Sequence, residues 1–141
     1  MSEKKKNIVL VGGCFDVLHP GHITFLEKSK ELGDLLVVLL ESDEKVRKLK
    51  GTDRPVHTQK DRAKVLTALR FVDKVICLPF MESEAEYAQV IARIKPNIIA
   101  VTKGYPNISY HKQAANLAGA KIKYVTRLIG NYSTSGIFNR D

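Results

Sequence analysis

Apolar residues recur along this chain in five short runs, each about as long as a β-strand. The runs cover residues 7–11, 35–40, 74–78, 97–101 and 121–125. The first four are nearly continuous in valine, isoleucine and leucine, which is typical of strands buried on both faces of a sheet. The fifth, KIKYV, alternates between polar and apolar residues and is therefore predicted to be half exposed.

Helical patterns lie between these runs, at residues 21–32, 58–70, 83–94 and about 109–118. Gly33 and Gly119 each follow such a segment, as glycine commonly does at a helix end. Ser83 and Glu86 have the spacing of a capping box, which favours a helix start there. Strands that alternate with helices predict a parallel sheet covered on both faces. We therefore expect an α/β, Rossmann-like, doubly wound fold with a five-stranded, mostly parallel sheet.

The composition is that of one compact domain. With 141 residues, 44% of them apolar, the chain is predicted to form a single domain over residues 1–141. Cys14 and Cys77 lack the spacing of a disulfide framework or a zinc site, which favours reduced thiols in a cytoplasmic protein. No apolar run approaches the ~18 residues needed to cross a bilayer, so we expect a soluble protein without a membrane partner.

The formal net charge of +8 favours an anionic partner. Nucleic acid, a membrane surface and a phosphorylated metabolite all fit the charge alone. The basic residues are interspersed with acidic ones, however, and are not interleaved with aromatic residues as in a groove for single-stranded nucleic acid. We therefore favour a phosphorylated small molecule over nucleic acid.

The segment GGCFDVLHPGH follows the first predicted strand directly. Ligands of parallel α/β sheets bind beyond the carboxyl ends of the strands, which is where this segment falls. Gly12 and Gly13 allow a tight turn close to a ligand, and a helix that begins near Gly21 directs its free N–H groups at the same space. His19 and His22 stand at the start of that helix, where both imidazoles could donate hydrogen bonds to phosphate.

The histidine pair could also bind a metal ion or belong to an ordinary turn. A metal site would need a third ligand, and no further histidine, cysteine or carboxylate stands at an evident spacing. The short motif by itself does not exclude ordinary turn histidines. The surrounding strand, glycine turn and helix start favour phosphate.

Three separated motifs carry a family resemblance. In chain order they are HPGHITFLEKSKELGDLLVVLLESDEKVRKLKG, RPVHTQKDRAKVLTALRFVDKVICLP and YSTSGI. With the preceding glycine turn, they resemble the nucleotidyltransferase superfamily that carries the H-x-G-H signature, and within it the cytidylyltransferase-like branch. That branch includes glycerol-3-phosphate cytidylyltransferase, the adenylyltransferase domain of ADP-heptose synthase and archaeal FAD synthetase. The resemblance implies that an acceptor phosphate oxygen attacks the α-phosphorus of a nucleoside triphosphate, with release of pyrophosphate.

The resemblance also implies roles for individual residues. His19, His22 and Lys50 would be the catalytic residues, with the two histidines at the α- and β-phosphates. The nucleotide-binding residues would be Gly13, Cys14, Phe15, His19, His22, Lys103, Gly104, Arg127, Ser133, Thr134 and Ser135. A phosphomonoester is largely dianionic at neutral pH, because its second pKa is about 6, so no strong general base is required. Cys14 is expected to be a small buried residue rather than a nucleophile.

The acceptor would be bound by Asp16, Asp43, Lys48 and Arg70. Asp16 and Asp43, the latter expected at the end of the second strand, could hold substrate hydroxyls or the waters of a magnesium ion, or could cap turns instead. Lys48 and Lys50 resemble lysines of a segment that closes over the phosphates, although a charge run is often a solvated helix face.

Arg62, Arg70 and Asp73 recur in members of the family, in an element that supports the site and the dimer. For these residues a structural ion pair is an equal alternative to ligand contact.

Magnesium with ATP or CTP is the cofactor that the resemblance implies, held mainly through the nucleotide phosphates and not by protein ligands. A homodimer is also expected, because dimers are common in this family and a partner subunit could complete the site beyond Ser135. The similarity to the ADP-heptose synthase domain ranks ATP first and favours a sugar or polyol phosphate.

Residues 103–107, KGYPN, match no family pattern, so the choice of base and acceptor stays open. The alternatives are an FMN adenylyltransferase and a non-catalytic nucleotide- or RNA-binding module.

Overall fold

The structure is a computed structural model that describes residues 5–103 and 109–127. Strands and helices alternate along most of this length, as the apolar pattern predicts. In chain order the elements are β1 (Ile8–Gly13), α1 (Pro20–Glu31), β2 (Leu35–Leu40), α2 (Asp43–Lys50), α3 (Gln59–Thr67), β3 (Lys74–Cys77), α4 (Glu84–Ile94), β4 (Ile98–Lys103), α5 (Ser109–Ala118) and β5 (Lys121–Arg127).

The five strands form one sheet in the order β3-β2-β1-β4-β5, and every pairing is parallel. β1 lies in the centre and pairs with β2 on one side and β4 on the other. The strand order therefore reverses between β1 and β4, and a ligand crevice is expected at the carboxyl ends of these two strands. The predicted Rossmann-like, doubly wound architecture is confirmed.

Alternate residues of the central strands enter two hydrophobic clusters, one on each face of the sheet. Leu10 of β1 packs in a cluster with Tyr87 and Ile91 of α4 and with alanines of α5. Its neighbour Val9 packs in the other cluster, with Leu26 of α1 and with residues of α3. This arrangement explains why β1, β2 and β4 are continuous apolar runs in the sequence.

β3 departs from the prediction of a strand buried on both faces. Among the described strands it lies at the edge of the sheet and pairs with β2 on one side. Lys74 and Cys77 are exposed, while Val75 and Ile76 are half-buried. An apolar run of this length does not distinguish a central strand from a partly covered edge strand.

The short helix α2 is visible in the sequence only as a charge run. Ser42 caps it by accepting a hydrogen bond from the Lys45 N–H at 3.1 Å. Asp43, expected at the end of the second strand, is instead the first residue of this helix. Acidic residues stand in its first turn and basic residues in its last, which complements the helix dipole. Val46 is its buried residue, so the apolar pattern gave little sign of a helix.

The third helix is shorter than predicted. α3 ends at Thr67, before Arg70, where the predicted helix ended. Within residues 5–103 and 109–127, no helix has both the length and the apolar character needed to span a bilayer.

Candidate active site

The turn after β1 depends on a close approach between Gly13 and Phe15. Phe15 has a φ of 45°, in the left-handed region, and its ring folds back over the strand end. A Cβ atom on Gly13 would lie 2.9 Å from Cε2 of Phe15, closer than van der Waals contact allows. Glycine at this position therefore permits the turn that leads the chain into the start of α1.

His19 and His22 form a reciprocal cap at the start of α1. Nδ1 of His19 accepts a hydrogen bond from the Gly21 N–H at 3.0 Å, and Nδ1 of His22 accepts one from the His19 N–H at 3.2 Å. A neutral imidazole that accepts at Nδ1 carries its proton on Nε2. Each histidine therefore has its ring donor at Nε2.

The two imidazole rings also stack on each other. Their centroids are 3.8 Å apart with an interplanar angle of 28°, and the Phe15 ring lies 5.6 Å from that of His22. Burial lowers the pKa of His19. Burial, together with the neighbouring His19 and the charge of Lys50, lowers the pKa of His22 to about 4. His22 is therefore a neutral hydrogen-bond donor at physiological pH.

Lys50, the last residue of α2, contributes positive charge to this region. Its ammonium group helps to lower the pKa of His22 and acts on the thiol of Cys14. Burial nevertheless raises the pKa of Cys14 above its ordinary value, which disfavours a thiolate nucleophile. Lys50 is half-buried, as suits a residue that faces the histidine turn.

Lys48 occupies a more exposed place on the same helix. Its Nζ lies 3.3 Å from a carboxylate oxygen of Glu82 and 5.0 Å from the centre of the Phe80 ring. More than half of the Lys48 side chain is exposed, at 59%. This lysine lies on the surface between α2 and the segment after β3.

Asp16 is fully enclosed and holds the loop of residues 54–57. Its carboxylate accepts hydrogen bonds from Arg54 Nε at 2.8 Å, from the Val56 N–H at 2.7 Å and from the His57 N–H at 2.9 Å. Burial alone would raise the pKa of Asp16, but these donors outweigh it and hold the pKa below the ordinary value. Through these contacts, Asp16 holds the backbone of residues 54–57 beside the histidine turn.

Arg62 joins three segments beside the histidine turn. Its guanidinium donates to the carbonyl oxygens of Cys14 at 2.7 Å and His57 at 3.0 Å, and to Oδ1 of Asp43 at 2.7 Å. Only 1% of Arg62 is exposed. The structural ion pair considered for Arg62 is present with Asp43, and the Arg62 guanidinium links the start of α2 to the turn after β1.

Asp73 is also in an ion pair, with Lys30 Nζ at 2.6 Å, and it accepts the Leu36 N–H at 2.7 Å. Arg70 is exposed and lies between α3 and β3. In a parallel sheet that segment leads to the amino end of a strand, which is the edge opposite the histidines. The acceptor role of Arg70 stays a prediction that this position does not favour.

Glu41 and Tyr87 form a buried pair that the sequence pattern did not predict. The Tyr87 hydroxyl lies 3.0 Å from each carboxylate oxygen of Glu41. The Glu41 N–H donates to the carbonyl of Gly13 at 3.0 Å, which places Glu41 beside the end of β1. Burial raises the pKa of Glu41, although Tyr87, Lys45 and Arg62 oppose this effect. The one sequence signal for this residue is a charge directly after a continuous apolar run.

The remaining nucleotide-binding candidates fall at the edge of the described region. Lys103 and Arg127 are the last residues of β4 and β5 and stand opposite each other in the pairing register. They therefore share the carboxyl edge of the sheet with the histidine turn. Gly104, Ser133, Thr134 and Ser135 lie outside the described residues.

Carboxylates and histidines do not gather into a metal site in the part of the chain that the structure describes. No group of three or more His, Cys, Asp or Glu side chains there has a geometry that could hold a metal ion.

A family profile described as cytidylyltransferase-like matches residues 10–130. The chain belongs to the cytidylyltransferase-like family. This membership and the fold confirm the prediction of a nucleotidyltransferase domain.

Curated relatives match over nearly the whole chain. The bifunctional protein HldE of Campylobacter concisus is 40% identical over 144 aligned residues that include 99% of this chain. The protein of the same name from Helicobacter pylori strain J99 is 37% identical, again over 99% of this chain. The alignment takes up 28% of the length of each of these two relatives.

Two solved structures are similar to this chain. The lipopolysaccharide core biosynthesis protein of Thermoplasma volcanium superposes with a TM-score of 0.69 and 28% identity, over 89% of this chain and 98% of that chain. The pantoate-beta-alanine ligase of Francisella tularensis, complexed with a β,γ-ATP compound and β-alanine, has a TM-score of 0.57 and 18% identity over 92% of this chain and 62% of its own. The second likeness shows a shared fold alone.

Proposed function

We propose that this domain transfers an adenylyl group from magnesium-bound ATP to the phosphate of a sugar phosphate, with release of pyrophosphate. The observation that carries the proposal is the His19–His22 cap, whose Nε2–H donors stand at the helix start beside the end of β1. The HldE relatives, the similarity to a lipopolysaccharide core biosynthesis protein and the resemblance to the ADP-heptose synthase domain favour ATP and a sugar phosphate.

The reaction is a substitution at phosphorus. An oxygen of the acceptor phosphate forms a bond to the α-phosphorus, and the bond from the α-phosphorus to the bridging oxygen breaks, so that pyrophosphate leaves. The acceptor is largely dianionic at neutral pH because its second pKa is about 6, and it needs no proton removed. The protein's task is to position the two phosphates and stabilise the charge that develops.

Each proposed catalytic residue has a distinct part in that task. His19 and His22 donate Nε2–H hydrogen bonds to oxygens of the α- and β-phosphates, while the first N–H groups of α1 add further donors. Neutral imidazoles bring no net charge, so the positive charge comes from Lys50 and from the metal of the nucleotide complex. Lys50 therefore stabilises the leaving pyrophosphate.

Magnesium fits this site as part of the substrate. Asp16 already accepts hydrogen bonds from Arg54 and two backbone N–H groups, and Glu41 bonds to Tyr87, so neither carboxylate is arranged as a chelating group. The ion would be carried by the triphosphate oxygens and would supply charge neutralisation there.

Further nucleotide contacts are proposed in addition to the histidine cap. The backbone of Gly13, Cys14 and Phe15 would approach the phosphates. The remaining contacts would come from Lys103, Gly104, Arg127, Ser133, Thr134 and Ser135. The KGYPN sequence at residues 103–107 begins at the last residue of β4 and would set the preference for the base.

The proposed acceptor residues differ in their support. Lys48 lies on an exposed surface where it could meet the acceptor phosphate. Asp16 and Asp43 already bond to arginine side chains, and Arg70 lies toward the other edge of the sheet. We therefore rank Lys48 first among them.

A homodimer is part of the proposal. Leu49, Val56 and Val65 are exposed apolar side chains, about half accessible, in the α2–α3 region. Sedimentation velocity tests this point, with a dimer expected and a concentration-independent monomer contradicting it.

The function is tested by pyrophosphate release in the presence of magnesium. ATP and CTP are each combined with heptose 1-phosphate, glycerol 3-phosphate and FMN. We expect release with ATP and heptose 1-phosphate. Release with FMN alone would instead identify an FMN adenylyltransferase. Silence with every pair, with nucleotide binding intact, would favour a binding module and contradict the proposal.

A further inference from the structure

A small cavity lies at the carboxyl ends of β1 and β2, on the face of the sheet that α4 covers. Its volume is about 20 Å³, and it is lined by Gly12, Gly13, Glu41, Tyr87 and apolar side chains that include Leu78 and Ile91. A cavity of this size holds one group as large as a water molecule, such as a single hydroxyl. The polar side chains on its wall, Glu41 and Tyr87, are 8% and 6% exposed.

Glu41 retains capacity to accept hydrogen bonds. An ionised carboxylate offers about four lone-pair sites, and the single Tyr87 hydroxyl proton satisfies only one of them. Asp16 and Asp43 differ, because each forms an ion pair with a buried arginine. Within residues 5–103 and 109–127, Glu41 forms no such ion pair with a lysine or arginine. Glu41 can therefore accept a hydrogen bond from an O–H donor that enters the cavity.

The position of Glu41 connects this cavity to the histidine turn. The Glu41 N–H bonds to the carbonyl of Gly13, the residue directly before Cys14. The Glu41 charge also helps to raise the pKa of the Cys14 thiol, so the carboxylate acts electrostatically on the turn itself. A group in the cavity would thus lie next to the place proposed for the reacting phosphates.

We propose that Glu41 is a specificity-determining residue for the acceptor, accepting a hydrogen bond from an acceptor hydroxyl that enters the cavity, and that Tyr87 orients its carboxylate. This inference rests on the proposed function, since it concerns the acceptor of that reaction. A carboxylate attracts hydroxyl donors and repels phosphate. Glu41 would therefore draw a hydroxyl group of the acceptor into the cavity and leave the acceptor phosphate facing the histidines.

Binding measurements test this site without requiring turnover. The protein is first saturated with magnesium and a non-hydrolysable ATP analogue, and heptose 1-phosphate or methyl phosphate is then titrated calorimetrically. Methyl phosphate keeps the phosphate but has no hydroxyl group. In Glu41→Gln we expect heptose 1-phosphate to bind about tenfold or more weakly, as for a lost hydrogen bond to a charged group, with methyl phosphate unchanged.

Two further variants complete the test. Tyr87→Phe removes only the hydroxyl that orients Glu41, and a smaller loss of heptose 1-phosphate affinity is expected. Glu27→Gln makes the same chemical change on the exposed surface of α1 and is expected to have no effect. Equal losses for both ligands in Glu41→Gln and Tyr87→Phe, unchanged heptose 1-phosphate affinity in both, or no heptose 1-phosphate binding by the parent protein would each overturn the inference.

Pyrophosphate release with the same proteins separates this inference from the proposed function. Selective binding of heptose 1-phosphate through Glu41 without any pyrophosphate release would reject the transfer reaction and keep the recognition site. Turnover of heptose 1-phosphate with an unchanged KM in Glu41→Gln would reject the recognition site and keep the transfer reaction.

Discussion

His19 and His22 cap the same helix start reciprocally, each accepting a backbone N–H at Nδ1 while their rings stack with centroids 3.8 Å apart. Nδ1 of each ring is thus engaged in the helix cap, and Nε2–H is the donor that would meet a ligand. In each histidine, Nδ1 therefore has a structural role and Nε2 the proposed catalytic role. Mutations can test the two roles independently.

Replacing His22 with asparagine should slow catalysis strongly while keeping the fold. The asparagine oxygen can still accept the His19 N–H, but the variant has no Nε2–H donor. We expect kcat to fall about 10²- to 10³-fold, as when one donor to a developing oxyanion is removed. Steady-state pyrophosphate release measures the effect, and urea unfolding monitors stability.

His22→Ala is the comparison for this prediction. It removes the cap as well and should lose about 1 kcal/mol of stability in addition to activity. A His22→Asn enzyme with nearly normal kcat would contradict the role assigned to Nε2.

The low pKa of His22 should make the stability of the protein depend on pH. Its folded pKa of about 4 lies below the ordinary value of 6.5. Between these values the unfolded chain binds a proton that the folded protein does not, so stability falls as the pH is lowered through this window. From pH 7 to pH 4.5 the expected loss from this group is about 2–3 kcal/mol. Urea unfolding at both pH values measures it.

The matched control for the pH experiment is His22→Asn, which keeps the other titrating groups. The variant should lose less stability than the parent protein over the same interval. Parallel pH dependences of the two proteins would show that the pKa of His22 is not lowered by folding.

Asp16→Asn should destabilise the protein strongly. The Asp16 side chain is 0% exposed and that of Arg54 7%, so the change removes the negative charge from a buried ion pair. Removing one partner of a buried ion pair typically costs about 3–5 kcal/mol. Urea unfolding at pH 7 checks the value, and Asp61→Asn on the exposed surface of α3 is the control. A loss below about 1 kcal/mol would show that Asp16 does not anchor the loop of residues 54–57.

Lys50→Ala and Lys48→Ala should differ in their effects on the reaction. Lys50 acts electrostatically on His22, whereas Lys48 forms an exposed pair with Glu82. We expect Lys50→Ala to lower kcat about 10- to 100-fold, as for one lost charge-assisted hydrogen bond. Lys48→Ala should act mainly on the KM for the acceptor. A larger loss of kcat in Lys48→Ala than in Lys50→Ala would reverse the two assignments.

Much of the fold was predictable because its strands are buried on both faces. Val9 and Leu10 belong to opposite clusters, so both must be apolar, and the strand appears in the sequence as an unbroken run. The same criterion failed for β3, because a short edge strand with exposed Lys74 and Cys77 can also form an apolar run. It missed α2 because that helix buries little more than Val46.

The sequence predicted the parts of the candidate site that are formed by residues close together in the chain. The histidine cap is formed within four residues of sequence, so the motif identified both members. Glu41 and Tyr87 are 46 positions apart, and Asp16 and Arg54 are 38 apart. Pairs of this kind arise from the packing of separate elements, which no local pattern records. The sequence therefore pointed to Asp16 as a ligand residue, but it did not indicate that Asp16 would form an ion pair with the buried Arg54.

The most direct test of the central claim is the identity of the phosphorus product. Magnesium, ATP and heptose 1-phosphate are incubated with the protein and followed by ³¹P NMR, with His22→Asn as the matched inactive control. We predict pyrophosphate together with a new diphosphate diester that contains the α-phosphorus of ATP, formed far more slowly by the variant. Release of inorganic phosphate without that diester, or equal rates for both proteins, would contradict it.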